Sequence, residues 1–191
     1  MINRVIQNVP KETTELVLML FTANINLAKL ASESGVDRIV VDIETRGKKQ
    51  RQSGYHLEIN QNTIDDLLPL RSFPIERVLR LNLFHDRTCA EVERGIQAGA
   101  TWMMLPMVRN TKEVERFVEL VNGRTGTIAL VETLAGLINL KDIVSISGLD
   151  EIYLGLNDMS LESGWPFCYR FLSEGILDHF LSNCTKPYGF G

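Results

Sequence analysis

The chain has 191 residues, a mass of 21.6 kDa and a formal net charge of −4 at pH 7. Hydrophobic residues make up 45% of it and charged residues 23%, which is the composition of a globular protein and excludes a disordered chain. The slightly acidic balance gives no electrostatic reason to expect nucleic acid or a membrane surface as a partner, and the densest apolar run, residues 16–21, is far shorter than the roughly 18–20 residues that span a bilayer.

Apolar strand-like runs alternate with amphipathic helical segments along the chain. Strands are predicted over residues 16–21, 38–43, 77–83, 102–108, 127–131, 151–156 and 187–191. Helices are predicted over residues 25–34, 62–70, 86–98, 110–122 and 134–146, with N-caps at Asn24, Asn62, Asp86, Asn110 and Thr133. The polar segment 45–60 is interpreted as a long surface loop, and residues 163–185 as helix and loop.

Continuous apolar strands separated by helices indicate a parallel sheet that is covered on both faces. An open doubly wound sheet or a closed (β/α)8 barrel would both fit. No GxGxxG follows the first strand, and the strand spacing of roughly 25–30 residues matches a barrel unit. We therefore expect the α/β class and a (β/α)8 TIM barrel forming one domain over residues 1–191. We expect this barrel to be incomplete at its C-terminus, with about six βα units and the start of strand seven.

Ligands bind at the carboxyl ends of the strands in parallel α/β folds. Polar side chains stand at those positions in this sequence: Asp42, Glu44, Arg80, Asn82, Arg109, Glu132, Asn157 and Asp158. Among them, Arg80 lies within an apolar strand, and a buried guanidinium needs an anion. Its partner is either a protein carboxylate or the carboxylate of a substrate.

Two carboxylates follow neighbouring predicted strands. Glu132 comes directly after the buried run TIALV, where an unpaired charge would cost roughly several kcal/mol, and Asp158 occupies the corresponding place one strand later. Because neighbouring strands lie about 4.8 Å apart, the two side chains can share one cation, and oxygen ligands suit Mg²⁺ or Mn²⁺. The alternative is structural: Glu132 pairs with Arg80 or caps the next helix, and Asp158 caps the helix that follows it.

Five blocks of sequence together resemble one enzyme family. They are GVDRIVVDIE (35–44), VLRLN (78–82), GATWMMLPMVRNTKEVERFV (99–118), ALVETLAGLINL (129–140) and GLDEIYLGLNDMSLESG (148–164). In this order they are similar to the HpcH/HpaI aldolase and citrate lyase beta-subunit family, over about Leu16 to Gly191. The closing KPYGFG (186–191) is similar to the family's seventh strand, which favours a chain that normally continues.

The resemblance implies a (β/α)8 barrel that makes or breaks a carbon–carbon bond next to a 2-keto acid, through a pyruvate-like enolate. It implies a Mg²⁺ or Mn²⁺ cofactor held by Glu132 and Asp158, and an Arg80 that grips the substrate. Thr45 stands where HpaI-type aldolases carry a histidine, so the identity of the base is open. Asp42, Glu44 and Asn157 are candidates for acid/base or supporting roles. Backbone N–H groups of a helix N-terminus are expected to receive a substrate carboxylate. The residues concerned are Leu134, Ala135 and Gly136.

Three functions remain open. The leading one is a metal-dependent lyase acting on a 2-keto acid or its aldol adduct. The DIE pattern at 42–44 favours instead the citrate-lyase-like branch, an acyl-CoA ester lyase or thioesterase, for which the basic run at 46–51 could receive acyl-CoA. The third is a non-catalytic, degenerate barrel subunit. We expect a homo-oligomer, since an incomplete barrel has reason to associate.

The remaining candidates concern the general base and the cellular compartment. His56 and His85 are alternative general bases, because histidine titrates near neutrality. Residues 1–14 are polar and contain Pro10, so no secretory signal is expected. The three cysteines are widely spaced and form no CxxC pair, which indicates a reducing cytoplasm as the compartment.

Overall fold

The computed structural model describes residues 16–47 and 61–191, which contain a parallel sheet of seven strands. The strands are β1 (Met19–Phe21), β2 (Arg38–Asp42), β3 (Glu76–Arg80), β4 (Trp102–Leu105), β5 (Gly126–Val131), β6 (Glu151–Leu154) and β7 (Tyr188–Phe190). Each strand pairs with the next one in the chain. This sequential order is that of a βα barrel, because a doubly wound sheet reverses its order part-way.

Helices connect the strands and cover the outer face of the sheet. They are α1 (Ile25–Glu33), α2 (Thr88–Ala98), α3 (Thr111–Val121), α4 (Leu134–Ile138), α5 (Leu140–Val144), α6 (Leu156–Glu162), α7 (Arg170–Ser173) and α8 (Ile176–Leu181). The largest apolar core lies between these helices and the sheet. No helix in the described part of the chain has both the length and the apolar character that a membrane crossing requires.

Three predicted helix starts are confirmed. The side chains of Asn24, Asn110 and Thr133 each accept hydrogen bonds from backbone amides two or three residues further on. The first turn of a helix has amides with no partner inside the helix, and these side chains supply one. The sequence alone was therefore sufficient to predict the residues at which α1, α3 and α4 begin.

The prediction of a helix over 62–70 that begins at Asn62 is wrong. Two 3-10 turns, Ile64–Leu67 and Pro69–Ser72, occupy this region, and Thr63 begins the first of them. Asn62 instead donates its side-chain amide to the carbonyl of Asp42. Pro69 has no backbone N–H and so interrupts a continuous helix.

Two further local predictions are corrected. Arg87, and not Asp86, immediately precedes α2. The single helix expected over 134–146 is divided into α4 and α5 at Asn139, whose side chain donates to the carbonyls of Ala135 and Arg109. Such side-chain bonds to the backbone compete with helical hydrogen bonding.

The inner face of the sheet is filled in layers. At the amino ends of the strands, Arg38 binds Glu76 and Glu151 and lies 4.0 Å from the ring centroid of Trp102. We call these four side chains the basal plug. Above it lies an apolar layer: Val40, Val78, Met104, Ile128 and Leu130. The carboxyl ends of the strands, above that layer, carry the polar residues singled out from the sequence.

The basal plug shows that the sheet is curled. β2 and β6 are four strands apart, which is about 19 Å in a flat sheet. Nη1 of Arg38 nevertheless lies 2.6 Å from Oε2 of Glu151. The α/β class and a curled, barrel-like sheet are therefore confirmed. Within the described residues β1 and β7 do not pair with each other, so the sheet is an open half-barrel and closure into a full barrel is not seen.

Candidate functional site

Glu132 is a buried carboxylate at the carboxyl end of β5. Only 4% of the residue is exposed, and its Oε1 accepts a hydrogen bond of 2.9 Å from the amide of Met107. Met107 lies beyond β4 and has a φ of 56°, a conformation that residues other than glycine rarely adopt. The backbone beyond β4 therefore supplies one donor to Glu132.

Glycine at position 155 gives Glu132 its space. The register of β5 and β6 pairs Val131 with Leu154, so Glu132 stands opposite Gly155 just beyond the strands. A Cβ on Gly155 would lie 2.6 Å from Cβ of Glu132 and 2.8 Å from its Oε2. The carboxylate is thus packed directly against the backbone at which α6 begins.

Asp158 and Glu132 line one cavity. Asp158 lies in the first turn of α6, three residues after Gly155. The cavity has a volume of about 340 Å³. Its lining residues are Met107, Arg109, Glu132, Thr133, Ala135, Asp158, Leu161 and Glu162. The expected proximity of Glu132 and Asp158 is therefore consistent with the fold.

Glu132 and Asp158 do not have the purely structural roles that were considered for them, which were helix capping and pairing with Arg80. Thr133, and not Glu132, caps α4, and Gly155, and not Asp158, precedes α6. No ion pair within 4.0 Å joins Glu132 to Arg80 in the described part of the chain, although the two side chains influence each other electrostatically.

The surroundings of Glu132 disfavour its charged form. Burial raises the pKa of its carboxyl to about 8, opposed by the charge of Arg80 and reinforced by the negative charges of Glu44 and Asp158. A cation at this position would relieve both the burial and the repulsion. Perturbed carboxyl groups in a cavity are a common sign of a functional site.

Arg80 has a protein carboxylate as its partner. Its Nε and Nη2 donate to the two oxygens of Asp42 at 2.8 and 2.6 Å, and Nη2 lies 3.6 Å from Oε2 of Glu44. Burial lowers the pKa of the guanidinium, but the hydrogen bond to Asp42 and the surrounding carboxylates raise it by more. Arg80 is therefore a permanent cation beside Glu132.

The register of β2 and β3 explains why Arg80 pairs with Asp42. Asp42 and Arg80 are matched residues of β2 and β3, so their side chains leave the sheet on the same face. Asp42 also accepts the amide of Glu44, which turns the chain as it leaves β2. Arg80, Asp42 and Glu44 adjoin Glu132 electrostatically, but they are not among the residues that line the 340 Å³ cavity.

The amides at the start of α4 are partly engaged within the protein. Leu134 donates to Oε2 of Glu162, and Gly136 donates to the hydroxyl of Thr133, each at 2.9 Å. Ala135 lines the cavity. Their expected role as a substrate-binding trio stays a prediction, with Ala135 placed best for it.

A polar network that the sequence did not predict holds the segment after β2. The side-chain oxygen of Asn82 accepts the amides of Thr45 and Arg46 at 2.9 and 3.1 Å, and its nitrogen donates to Glu91. Glu91 also faces Nε2 of His85 at 3.1 Å. His85 is thus engaged with Glu91, one turn into α2, and the position of Asn82 just past a strand was the signal available in the sequence.

Residues 15–166 match the protein family described as HpcH/HpaI aldolase/citrate lyase. The chain belongs to this family. The match covers all of the strand ends described above, from β2 to β6. It confirms the family expected from the five sequence blocks and places the chain among aldolases and citrate lyases.

Individual relatives are distant. A 4-hydroxy-2-oxo-heptane-1,7-dioate aldolase of Salmonella typhimurium is 21% identical in an alignment 179 positions long, which covers 78% of this chain and 63% of the aldolase, so the chain spans less than two thirds of that relative. Citrate synthase SbnG has a TM-score of 0.70 at 20% identity, over 91% of this chain and 76% of its own. An HpcH/HpaI aldolase/citrate lyase family protein of Burkholderia cenocepacia has a TM-score of 0.72 at 17% identity, over 92% and 79%. These structures show a shared fold.

Some predicted features lie outside the described residues or need a ligand. His56 and the basic residues Lys48, Lys49 and Arg51 fall in the segment 48–60, outside the described part of the chain. Within the described ranges, no three His, Cys, Asp or Glu side chains are grouped closely enough to hold a metal ion by themselves. A metal here would need ligands besides the protein carboxylates.

Proposed function

We propose that this family member is a divalent-metal-dependent carbon–carbon lyase that acts on a 2-keto acid or its aldol adduct. The observation that supports this most is the buried Glu132, which shares a cavity with Asp158 and is held by the amide of Met107. Burying a carboxylate beside two others is costly unless it is protonated or bound to a cation. A binding site for a cation accounts for the arrangement.

The donor set fits Mg²⁺ or Mn²⁺. Glu132 and Asp158 offer carboxylate oxygens alone, and Mg²⁺ in proteins is usually held by one or two carboxylates, with waters and substrate oxygens completing its shell. When bound, the ion would act as a Lewis acid toward the keto oxygen of the substrate.

In this proposal Asp42 orients Arg80, and Arg80 stabilises the substrate. Asp42 accepts two hydrogen bonds from the guanidinium of Arg80 and so fixes its orientation. The positive charge is therefore already in place before substrate binds. Arg80 then stabilises negative charge that develops on the oxygens of the keto acid. Asp42 is a positioning residue, because it acts through Arg80.

Glu44 is the acid/base group in this proposal. It is 1% exposed and lies at the mouth of β2, next to Arg80 and electrostatically coupled to Glu132. In the cleavage direction Glu44 accepts the proton of the C4 hydroxyl, and the C3–C4 bond breaks. The electron pair of that bond passes to the keto-acid half as its enolate, C4 leaves as an aldehyde, and Glu44 then gives the proton it accepted to C3, which restores its carboxylate.

The relative from Salmonella typhimurium favours an aldolase over an acyl-CoA lyase. Its name describes an aldolase of a 4-hydroxy-2-oxo dioate, the type of substrate whose cleavage releases a 2-keto acid. Activity of this chain toward such a compound remains a proposal, as does its use of Mg²⁺ or Mn²⁺.

Pyruvate exchange in D₂O tests the proposed function. The protein is incubated with pyruvate, with and without Mg²⁺ or Mn²⁺, and deuteration of the methyl group is followed by NMR. We expect exchange that needs the metal and that falls about 100-fold or more in Glu132→Gln, because a carboxylate ligand becomes a neutral amide. Glu115→Gln, an exposed position on α3, is the matched control. Exchange that needs no metal, or that survives in Glu132→Gln, would contradict the proposal.

A further inference from the structure

Tyr153 is a phenol on the inner face of the sheet that the proposed chemistry does not use. It lies in β6 opposite Leu130 of β5 and packs against the apolar layer. Side chains two residues apart on a strand share one face of the sheet. Glu151 on this face belongs to the basal plug, and Gly155 on the same face adjoins Glu132. Tyr153 therefore lies between the plug and the candidate site.

Two glycines of the neighbouring strand give the ring of Tyr153 its space. Gly189 of β7 is paired with Tyr153, and a Cβ there would meet Cδ2 of the ring at 3.7 Å. A Cβ at Gly191, two residues further on and just beyond β7, would collide with Oη of Tyr153. The ring therefore extends along β7 from the apolar layer to the carboxyl ends of the strands, and the hydroxyl lies at the level of the site.

The hydroxyl of Tyr153 has no partner in the part of the chain that the structure describes, because none of those residues forms a hydrogen bond with it. A tyrosine that packs in a core usually has a partner for its O–H, and a phenylalanine would fill the same apolar space. Burial raises the pKa of the phenol, and the charge of Arg80 opposes that rise. The phenol therefore keeps its proton at neutral pH, and it is a hydrogen-bond donor available to a ligand.

Tyr153 and Arg80 border the mouth of the half-barrel from two sides. Arg80 leaves β3 on the inner face, and its guanidinium carbon lies 5.2 Å from the ring centroid of Phe21 on β1. Tyr153 reaches the same end of the sheet from β6, close enough for the charge of Arg80 to act on its phenol. The hydroxyl therefore faces the space above the apolar layer, where a substrate held by Arg80 would lie.

We propose that Tyr153 is a further catalytic residue, whose hydroxyl donates a hydrogen bond to the C4 oxygen of the substrate, the oxygen of its aldehyde half. The inference rests on the proposed function, in which the metal and Arg80 already hold the oxygens of the keto-acid half. In cleavage Glu44 accepts the proton of the C4 hydroxyl, and Tyr153 keeps its own proton while it stabilises the negative charge left on that oxygen. A lone pair of the oxygen then forms the aldehyde carbonyl as the C3–C4 bond breaks.

Two reactions of pyruvate test this role. Aldol addition to acetaldehyde, glycolaldehyde and 4-oxobutanoate is compared with methyl exchange in D₂O, in which no aldehyde takes part. In Tyr153→Phe we expect kcat for addition to fall about 100-fold or more with little change in KM for pyruvate, because a donor to developing charge acts in the transition state. Exchange should keep most of its rate.

Tyr188→Phe is the matched control, because it removes the same hydroxyl from an exposed position of β7 whose strand partner, Ile152, faces away from the inner layer. It should change neither reaction. Thermal unfolding by circular dichroism shows whether Tyr153→Phe keeps the wild-type fold, as expected for a change that retains the ring.

The outcomes separate the role of Tyr153 from the proposed function. Addition at the wild-type rate in Tyr153→Phe, or an equal fall in addition and exchange, overturns the assignment of the hydroxyl to the C4 oxygen alone. Wild-type protein that exchanges pyruvate but adds none of the three aldehydes overturns that assignment too. Absence of metal-dependent exchange in the wild-type protein overturns the proposed function, and the role of Tyr153 with it.

Discussion

At the scale of single residues, Glu132 is both the strongest functional candidate and a source of instability. Its carboxylate is buried, it receives the amide of Met107, and it faces the negative charges of Glu44 and Asp158. A side chain selected for stability alone would be neutral here. Active sites commonly retain such unfavourable groups because binding a ligand or ion relieves them.

The raised pKa of Glu132 predicts how stability depends on pH in metal-free protein. The unfolded chain loses this proton near pH 4.5 and the folded protein near pH 8, so the folded state binds more protons between these values. The contribution of Glu132 to stability therefore falls as pH rises from about 4.5 to 8. Glu132→Gln, which stays neutral, should melt at nearly the wild-type temperature at pH 5 and at a higher temperature at pH 8.5.

Thermal unfolding monitored by circular dichroism at the two pH values, with a chelator present, measures this difference. Glu115→Gln, an exposed glutamate on α3, serves as the control and should show no pH-dependent gain. A melting difference between Glu132→Gln and wild type that is the same at both pH values would mean that the carboxyl is not neutral in the folded protein at pH 5.

At the scale of elements, the site depends on how closely the end of β5 approaches the start of α6. Gly155 lies between Glu132 and the helix that carries Asp158, and it has no Cβ to separate them. The strand register brings Glu132 and Gly155 together, and the short path from Gly155 to Asp158 brings the second carboxylate to the same cavity. A strand end and a helix start therefore form the proposed metal site jointly.

Gly155→Ala should damage the site through sterics alone. The added methyl would lie 2.6 Å from Cβ of Glu132, so one of the two must move, at a cost of about 1–3 kcal/mol. We expect lower stability in urea denaturation and loss of metal-dependent pyruvate exchange. In the control Gly189→Ala, the new methyl would meet the ring of Tyr153 at an ordinary 3.7 Å and should leave exchange intact. Unchanged exchange in Gly155→Ala would show that Glu132 does not need this close packing.

At the scale of the whole molecule, the curl of the sheet decides which strand ends face one another. The basal plug connects β2 with β6 through Arg38 and Glu151, underneath the apolar layer. The same curl brings the Asp42–Arg80 pair of β2 and β3 toward Glu132 at the end of β5. The edges at β1 and β7 expose apolar side chains such as Phe21 and Phe190, and the expected homo-oligomer stays a prediction.

Arg38→Met should open the sheet or weaken it. The side chain of Glu151 is 18% exposed, and removing its partner leaves a largely buried charge uncompensated, at a cost of about 3 kcal/mol. Urea denaturation should show this loss in the free energy of unfolding. Arg116→Met breaks an exposed pair with Glu119 and should have little effect, because such pairs are screened by solvent. Equal losses in both variants would show that the plug contributes no more than a surface ion pair.

Local features were predictable from the sequence because neighbouring residues decide them. Asn24, Asn110 and Thr133 cap their helices through bonds that span two or three residues, and the apolar runs mark the strands. Glu132 and Asp158 were recognisable because polar residues directly after buried strands lie at one end of a parallel sheet. The prediction of a helix over 62–70 was wrong because Pro69 and a contact from Asn62 to the distant Asp42 decide the conformation there.

By itself the sequence determined the α/β class, the order of strands, and the two carboxylates proposed to bind metal. Only the tertiary structure decided that Arg80 binds Asp42, that Gly155 admits Glu132, and that the hydroxyl of Tyr153 reaches the strand ends beside Gly191. The physical reason is the separation along the chain of the residues that interact. Strand and helix signals depend on side chains a few residues apart, whereas these contacts depend on register, on curl and on which backbone comes close enough to exclude a Cβ.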